Sequence, residues 1–521
     1  MNQTLDNDRT HSHNVLMSLP TSLVHCILSD WLEYVPAIRL DLALVGSRNF
    51  HPLMLDILES NQFYIKEIKQ VEFTPPKRAH SQIWSWLTTR RVKVLSLEPH
   101  EKCDTKELAL YLQKFGQHVK RACPNDDVNQ HDRRIPKQSL LFANYCSNLS
   151  YYICNCCLHV HDDSILRTLV NNVYLERLDL YGTLLTNNFI SSRPGLELPH
   201  LKILKRGETY GIGRHLTDLV KTAPNLQVLS IYCNPYKCTH TDAVVLDVAA
   251  ACPQLRTFSS EELHLGARDR FLRPFLATCS KVVNLGLYKH AGLSDAVLIK
   301  ALSELKSLYS LDLRGCCRLT DKTLQFLAQC YADTLHVLYL DHSQWPEYYY
   351  DDEEYGEGYE RFEDEEEDQD LEEESGYTTA GIASLRAHCT HLHTFHYSID
   401  AGTVALSQHV EAYQNATIVS VCGQCDKVVP LILAHCHQMQ ILAMPFDEDG
   451  DKRVWLTVDQ LMSIVAHFPL LRVVVSESQN SKKYKEKMDY RAVKKAFPKL
   501  VFTDNMAVAN FDVLDIPVKV G

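Results

Sequence analysis

Leu308-Tyr-Ser-Leu311-Asp-Leu313-Arg-Gly-Cys316-Cys-Arg-Leu319-Thr320-Asp321-Lys-Thr-Leu324-Gln-Phe-Leu327-Ala-Gln-Cys330 is one complete unit of a pattern that recurs through most of this 521-residue chain. Its first part alternates, so Leu311 and Leu313 share one face and the residues between them the other, as a strand requires. Its second part places Leu324, Leu327 and Ala328 at helical intervals, and Thr320 or Asp321 can cap the start. The unit predicts a strand followed by a helix.

The same L-x-x-L-x-L pattern returns as Leu175-Glu-Arg-Leu178-Asp-Leu180, Leu226-Gln-Val-Leu229-Ser-Ile231, Val282-Val-Asn-Leu285-Gly-Leu287 and Leu335-His-Val-Leu338-Tyr-Leu340. Weaker copies start at Val92, Val119, Leu149, Leu201, Leu255, Leu392, Met439, Leu471 and Leu500, with a distorted one near Thr417. From Leu149 to Leu335 the starts are 26, 26, 25, 29, 27, 26 and 27 residues apart. The next interval is 57 residues, and setting aside the 29-residue acidic run 347–375 brings it to 28. That run is an insertion. A fixed period of one strand and one helix predicts an α/β leucine-rich-repeat solenoid, a horseshoe of about 13 repeats whose parallel sheet lines the concave side. It is expected over residues 61–510, with 511–521 as a tail.

An apolar share of 45% and a charged share of 23% suit a folded soluble chain. No run of 18 apolar residues occurs, so no membrane partner is expected, and the polar stretch 1–15 reads as disordered rather than as a secretory leader. Eighteen cysteines without an export signal point to reduced thiols in the cytoplasm or nucleus. The net charge of −12 is concentrated: residues 347–375 carry seventeen Asp or Glu against Arg361, leaving about +4 for the rest. No nucleic-acid footprint follows from that.

The stretch Leu308–Cys330 resembles the cysteine-containing leucine-rich repeats of eukaryotic F-box proteins and their ribonuclease-inhibitor-like relatives. Cysteine also precedes the first apolar residue of a repeat by three at Cys146, Cys252, Cys279, Cys389 and Cys436, and Ala223-Pro-Asn-Leu226 and Cys252-Pro-Gln-Leu255 share one helix-to-strand turn. Ahead of the repeats, residues 16–60 read as three short helices opening on Leu19-Pro20. Leu19, Pro20, Leu23, Ile27, Leu28, Leu32, Ala43, Val45 and Arg48 match the F-box pattern, although the family's late tryptophan is missing. The resemblance implies that these helices dock on a Skp-type adaptor, and through it on a cullin ubiquitin ligase, while the repeats hold a protein substrate. A plain helical cap is the alternative, because a solenoid must cover its first repeat in any case.

Candidate chemistry is sparse. Cys422-Gly-Gln-Cys425 and the cluster Cys154, Cys156, Cys157, His159 and His161 have metal-like spacing, but no second pair follows at a zinc-site distance. Structural thiols are expected instead, with no metal, no cofactor and no enzymatic activity. Binding residues are expected between the strand leucines, on the face turned from the helices: Arg177, Asp179, Tyr181, Tyr232, Tyr288, Asp312, Arg314, Tyr339 and Asp341. Tyrosine and arginine are frequent interface anchors. The acidic run reads as a solvated loop, placed to recruit or screen a basic partner at the strand-end rim.

Overall fold

The computed structural model describes residues 50–60, 63–69, 77–100, 103–125, 137–155, 162–181, 193–208, 214–233, 241–261, 271–290, 292–316, 318–341, 376–392, 394–400, 418–422, 439–444, 458–471, 473–476 and 501–503, with single positions such as Asp41, Thr183 and Val493. Leu19, Pro20, Leu23, Ile27, Leu28, Leu32, Ala43, Val45 and Arg48 lie outside the described residues, as do 1–15, 347–375 and 511–521. The chain divides into two compact units, Met1–Leu226 and Gln227–Gly521.

In the first unit the helix Phe50–Glu59 precedes six strands. They are β1 (Tyr64–Lys69), β2 (Lys93–Glu98), β3 (Arg121–Ala122), β4 (Tyr151–Asn155), β5 (Arg177–Tyr181) and β6 (Ile203–Glu208). The second unit holds β7 (Val228–Cys233), β8 (Thr257–Glu261), β9 (Asn284–Tyr288), β10 (Ser310–Asp312), β11 (Val337–Asp341), β12 (Thr394–Asp400), β13 (Ile418–Cys422), β14 (Ile441–Met444), β15 (Val473–Ser476) and β16 (Val501–Thr503). Within each unit every strand pairs in parallel with the next one in the chain. Parallel neighbours in chain order need a crossover each time. Helices such as Thr105–Phe115, Asp162–Asn171, Thr241–Ala251, Asp295–Leu302 and Asp321–Cys330 supply it. This is a leucine-rich-repeat solenoid.

Each of the five clear sequence copies begins two residues before its strand, at β5, β7, β9, β10 and β11. The described strands number sixteen, against about 13 repeats in the pattern. β1 gives no L-x-L signal because its buried residues, Ile65 and Ile68, stand three apart. β2 shares the irregularity: Val94 and Leu97 are buried while Leu95 is half-buried, so the pattern starting at Val92 misplaces Leu95. In both strands the buried residues stand three apart rather than two, although the two strands pair at a constant offset, so the alternation that marks the other coils is absent.

The core is built from the repeat leucines. Leu308, Leu311, Leu313, Leu319, Leu324 and Leu327 are all fully buried, each worth about 1.5–3 kcal/mol relative to exposure. Thiols fill the remaining small spaces: the Cys316 thiol donates to the Leu287 carbonyl at 2.9 Å, and that of Cys279 to the Cys252 carbonyl at 3.5 Å. Burial pushes the thiol pKa up to about 11 in Cys252, about 12 in Cys279 and about 11 in Cys389. Cys330 is exposed. Brief maleimide treatment of native protein, followed by peptide mapping, is expected to modify Cys330 at least about tenfold faster than those three, because only thiolate reacts. Equal rates would mean that the thiols are not packed.

Carboxylates join successive helix starts. Asp295 accepts from the Thr320 backbone N at 3.0 Å, the Thr320 hydroxyl at 2.7 Å and the Thr323 backbone N at 3.2 Å. Asp321 repeats the device one coil later, accepting from the backbone N of Thr378 at 2.8 Å and from its hydroxyl. Gly376 bridges Thr320 in parallel register, and Tyr377 is buried. The chain on the far side of the acidic run is therefore fastened to the preceding repeat.

Candidate protein-binding face

In the regular coils, those of β1 and β2 excepted, the residues at the first, fourth and sixth positions of the pattern turn toward the helices, and those at the third, fifth and seventh turn away. Strand register lines the latter into rows. In the second unit Ser230, Ser259, Gly286, Asp312, Tyr339 and His396 form one row, and Tyr232, Glu261 and Tyr288 lie along the next. In the first unit Arg121, Tyr151, Arg177 and Ile203 share a row.

The second-unit face carries a built cluster. The Arg314 Nε donates to Asp312 Oδ1 at 2.9 Å and its Nη2 to Oδ2 at 2.6 Å, while the Arg314 backbone N also reaches Oδ1 at 3.1 Å. The guanidinium carbon lies 5.2 Å from the Tyr288 ring centre and 5.0 Å from that of Tyr339. Burial works to lower the Arg314 pKa, but the Asp312 carboxylate, with smaller help from the two tyrosines, outweighs it and leaves the pKa raised. A cation held between rings and bonded along one edge keeps its geometry before any partner arrives. The first unit uses the same pair in reverse order: Arg177 Nε lies 3.1 and 3.0 Å from the two Asp179 oxygens, and Nη2 lies 2.8 Å from Oδ2.

These pairs correct part of the expectation. Tyr339 was expected to face solvent, yet it is 1% exposed, and Asp179 and Asp312 are buried as well. Each carboxylate is covered by the arginine two residues away in its own coil, and the Tyr339 ring by Arg314 of the adjacent coil, so these three side chains form the wall of the face rather than its contact surface. Arg177, Tyr288 and Arg314 stay partly exposed. Tyr181, Tyr232 and Asp341 belong to β5, β7 and β11, and their side chains lie outside the described residues. Tyr151, not among the expected residues, is 38% exposed and stands in register between Arg121 and Arg177. The adjacent Tyr152 is fully buried. Counting from Leu149 separates the two, since Tyr151 takes the third position and Tyr152 the fourth.

Among the described residues no group of three or more His, Cys, Asp or Glu side chains could hold a metal ion. Cys154 is buried; Cys156, Cys157, His159, His161 and Cys425 lie outside the described residues, as does the side chain of Cys422. No described helix is long and apolar enough to cross a membrane.

No protein-family model matches the sequence, and no curated protein does. Among solved structures, the Rad7 and Elc1 complex of yeast aligns with a TM-score of 0.33 and 12% identity, covering 96% of both chains. The leucine-rich-repeat-containing protein LegL7 of Legionella pneumophila aligns with a TM-score of 0.31 and 15% identity, covering 53% of this chain and 82% of that one. The fold assignment rests on the strand order and register described above.

Proposed function

We propose that this chain is the substrate-recognition subunit of a cullin-type ubiquitin ligase. Its N-terminal helices would take a Skp-type adaptor, and its sheet face would hold a protein target in the cytoplasm or nucleus. It performs no chemistry itself. Two features support the reading: the F-box-like residues from Leu19 to Arg48, and a sheet face whose arginines are held rigid by carboxylates and rings. The second is the observation that carries protein binding, because pre-set side chains lose little entropy when a partner docks.

One contact favours the adaptor-free scaffold. Asp41, fully buried, accepts from Trp86 Nε1 at 2.8 Å and from Arg90 Nε at 2.9 Å. This fastens the N-terminal region to the helix Lys77–Thr89, as a plain cap requires. Co-purification of the full chain with a Skp-type adaptor decides between them. Capture is expected, and its loss in Leu19→Ala/Pro20→Ala protein of unchanged thermal midpoint; no capture by the unaltered chain would leave the scaffold. For the sheet face, Tyr181→Ala/Tyr232→Ala/Tyr288→Ala protein is expected to lose most captured targets while keeping the adaptor. An unchanged capture profile would remove the three tyrosines from the contact surface.

A further inference from the structure

Large apolar side chains stand exposed at seven described positions, and four of these belong to two successive coils of the first unit. Tyr145 ends the helix Gln138–Tyr145, and Val170 lies in the last turn of the helix Asp162–Asn171. Val173 and Tyr174 follow in the turn that leads into β5. The four are between 37% and 64% exposed, Tyr174 the most. Asn171 Nδ2 donates to the Ala143 carbonyl at 2.9 Å, and Asn172 Nδ2 to the Cys146 carbonyl at 3.0 Å, so the two helix ends are held side by side. The Tyr174 ring packs on that of His200, exposed in the next coil, with centres 5.1 Å apart. The patch occupies the edge where helices hand the chain to the next strand, away from the sheet face.

The repeat does not call for these residues. Val173 and Tyr174 are the two residues before the first leucine of their coil, and the same places elsewhere hold Ser147-Asn148, Pro199-His200, Pro224-Asn225, Pro253-Gln254 and Ser280-Lys281. Tyr145 stands four before its leucine, where the next three coils carry Asn171, Glu197 and Thr222. Together the four side chains leave about 350 Å² of apolar surface to water, the size of patch that marks an interaction site on a soluble protein. Charge does not select an oppositely charged partner here. Asp163 pairs with Arg167 at 2.9 Å and Glu176 with Lys202 at 3.8 Å, and the next coil adds one charge of each sign, Arg193 and Glu197. The surroundings are balanced.

A neutral apolar surface is covered best by another of its kind. Among the described residues the remaining exposed large apolar side chains, Leu110, Tyr151 and Leu470, lie on three different elements, so the surface that matches this patch is the same patch on a second copy. We infer that Tyr145, Val170, Val173 and Tyr174 form the contact through which two copies of this chain pair. A two-fold contact sets the same residues against one another from both sides, and a balanced charge around them carries no like-charge penalty. The four side chains of both copies bury about 700 Å², well under the 1,200 Å² or more of a permanent interface, so the pairing is weak and concentration-dependent, with a Kd of about 50 µM. It uses no residue of the sheet face, and both sheet faces of a pair stay open to targets.

Sedimentation velocity of the full chain between about 1 and 200 µM tests this. The mean mass is expected to rise from that of one chain toward that of two and no further, and raising the salt to about 0.5 M should leave the Kd within about twofold, because apolar contacts are not screened. Tyr174→Glu is expected to weaken pairing at least about tenfold, since it sets two carboxylates against each other across the two-fold. Val170→Asn, on the helix rather than in the turn, should weaken it about threefold. Both should keep the thermal midpoint, because the replaced side chains face water. A chain that stays single at the highest concentration, pairing that either variant leaves unchanged, or pairing abolished by salt would overturn the inference. Mass growing beyond two copies would replace the two-fold contact with a head-to-tail one and overturn it as well, as would a midpoint lowered in both variants, which would make the residues part of the fold. Adaptor capture is a separate measurement, so its failure leaves the pairing standing and the reverse holds too.

Discussion

Asp312→Ala is expected to lower stability by about 3 kcal/mol, the cost of stripping a buried cation of its partner. Asp312 and Arg314 are only 6% and 12% exposed through their side chains, and the carboxylate accepts both guanidinium edge atoms and a backbone N. Exposed pairs such as Arg167–Asp163, whose side chains are 51% and 66% exposed, contribute about 0–1 kcal/mol or nothing measurable. Removing the carboxylate leaves Arg314 desolvated between Tyr288 and Tyr339 with one attraction gone. Replacing both partners, as Asp312→Ala/Arg314→Met, removes the stranded charge and keeps most of the packing, so the double variant should recover at least about 1 kcal/mol of that loss. Urea unfolding of the three proteins measures the coupling. Strictly additive losses would show that the pair is two independent surface residues.

The solenoid was legible in the sequence because its cause is periodic. Each coil shelters the next, so leucine must return at a fixed spacing, and Leu175, Leu226, Leu308 and Leu335 mark it without reference to anything distant. The face was legible in position but not in exposure. Counting positions puts Tyr339 and Asp312 on the side away from the helices, where they are; it cannot register that Arg314 from the same sheet covers both. For Asp312 the covering arginine stands two residues on in the same coil, and for Tyr339 it comes from the preceding one, a choice of rotamer that position counting does not record. Tyr151 was missed because Tyr152 and Cys154 take the places of the strand leucines in its coil, so no leucine marks the parity there. β1 escaped because its buried Ile65 and Ile68 stand three apart, so no L-x-L alternation marks it.

Gly381→Ala inverts an ordinary helix rule. Gly381 is the third residue of the helix Thr379–His388, and in an unobstructed helix alanine is better than glycine by about 1 kcal/mol. Here the added Cβ falls inside the Asp321 carboxylate. That carboxylate cannot swing aside cheaply, since it accepts from both the backbone N and the hydroxyl of Thr378, while the same hydroxyl caps the helix by accepting from Gly381 N at 3.1 Å. The methyl group must therefore break either the junction or the cap, and a net loss of about 2 kcal/mol is expected. Asp321→Ala should cost a similar amount for the converse reason, leaving the Thr378 donors without their acceptor. Once the carboxylate is gone the methyl group is tolerated, so Gly381→Ala added to Asp321→Ala should cause no further loss and recover some stability through helix propensity. Hydrogen exchange at Ile382 and Leu385 reads the effect at the coil where the acidic run rejoins the solenoid. A stabilising Gly381→Ala in the otherwise unaltered chain would mean that Asp321 does not fasten that coil, and the tolerance of a 29-residue insertion between Leu340 and Gly376 would need another cause.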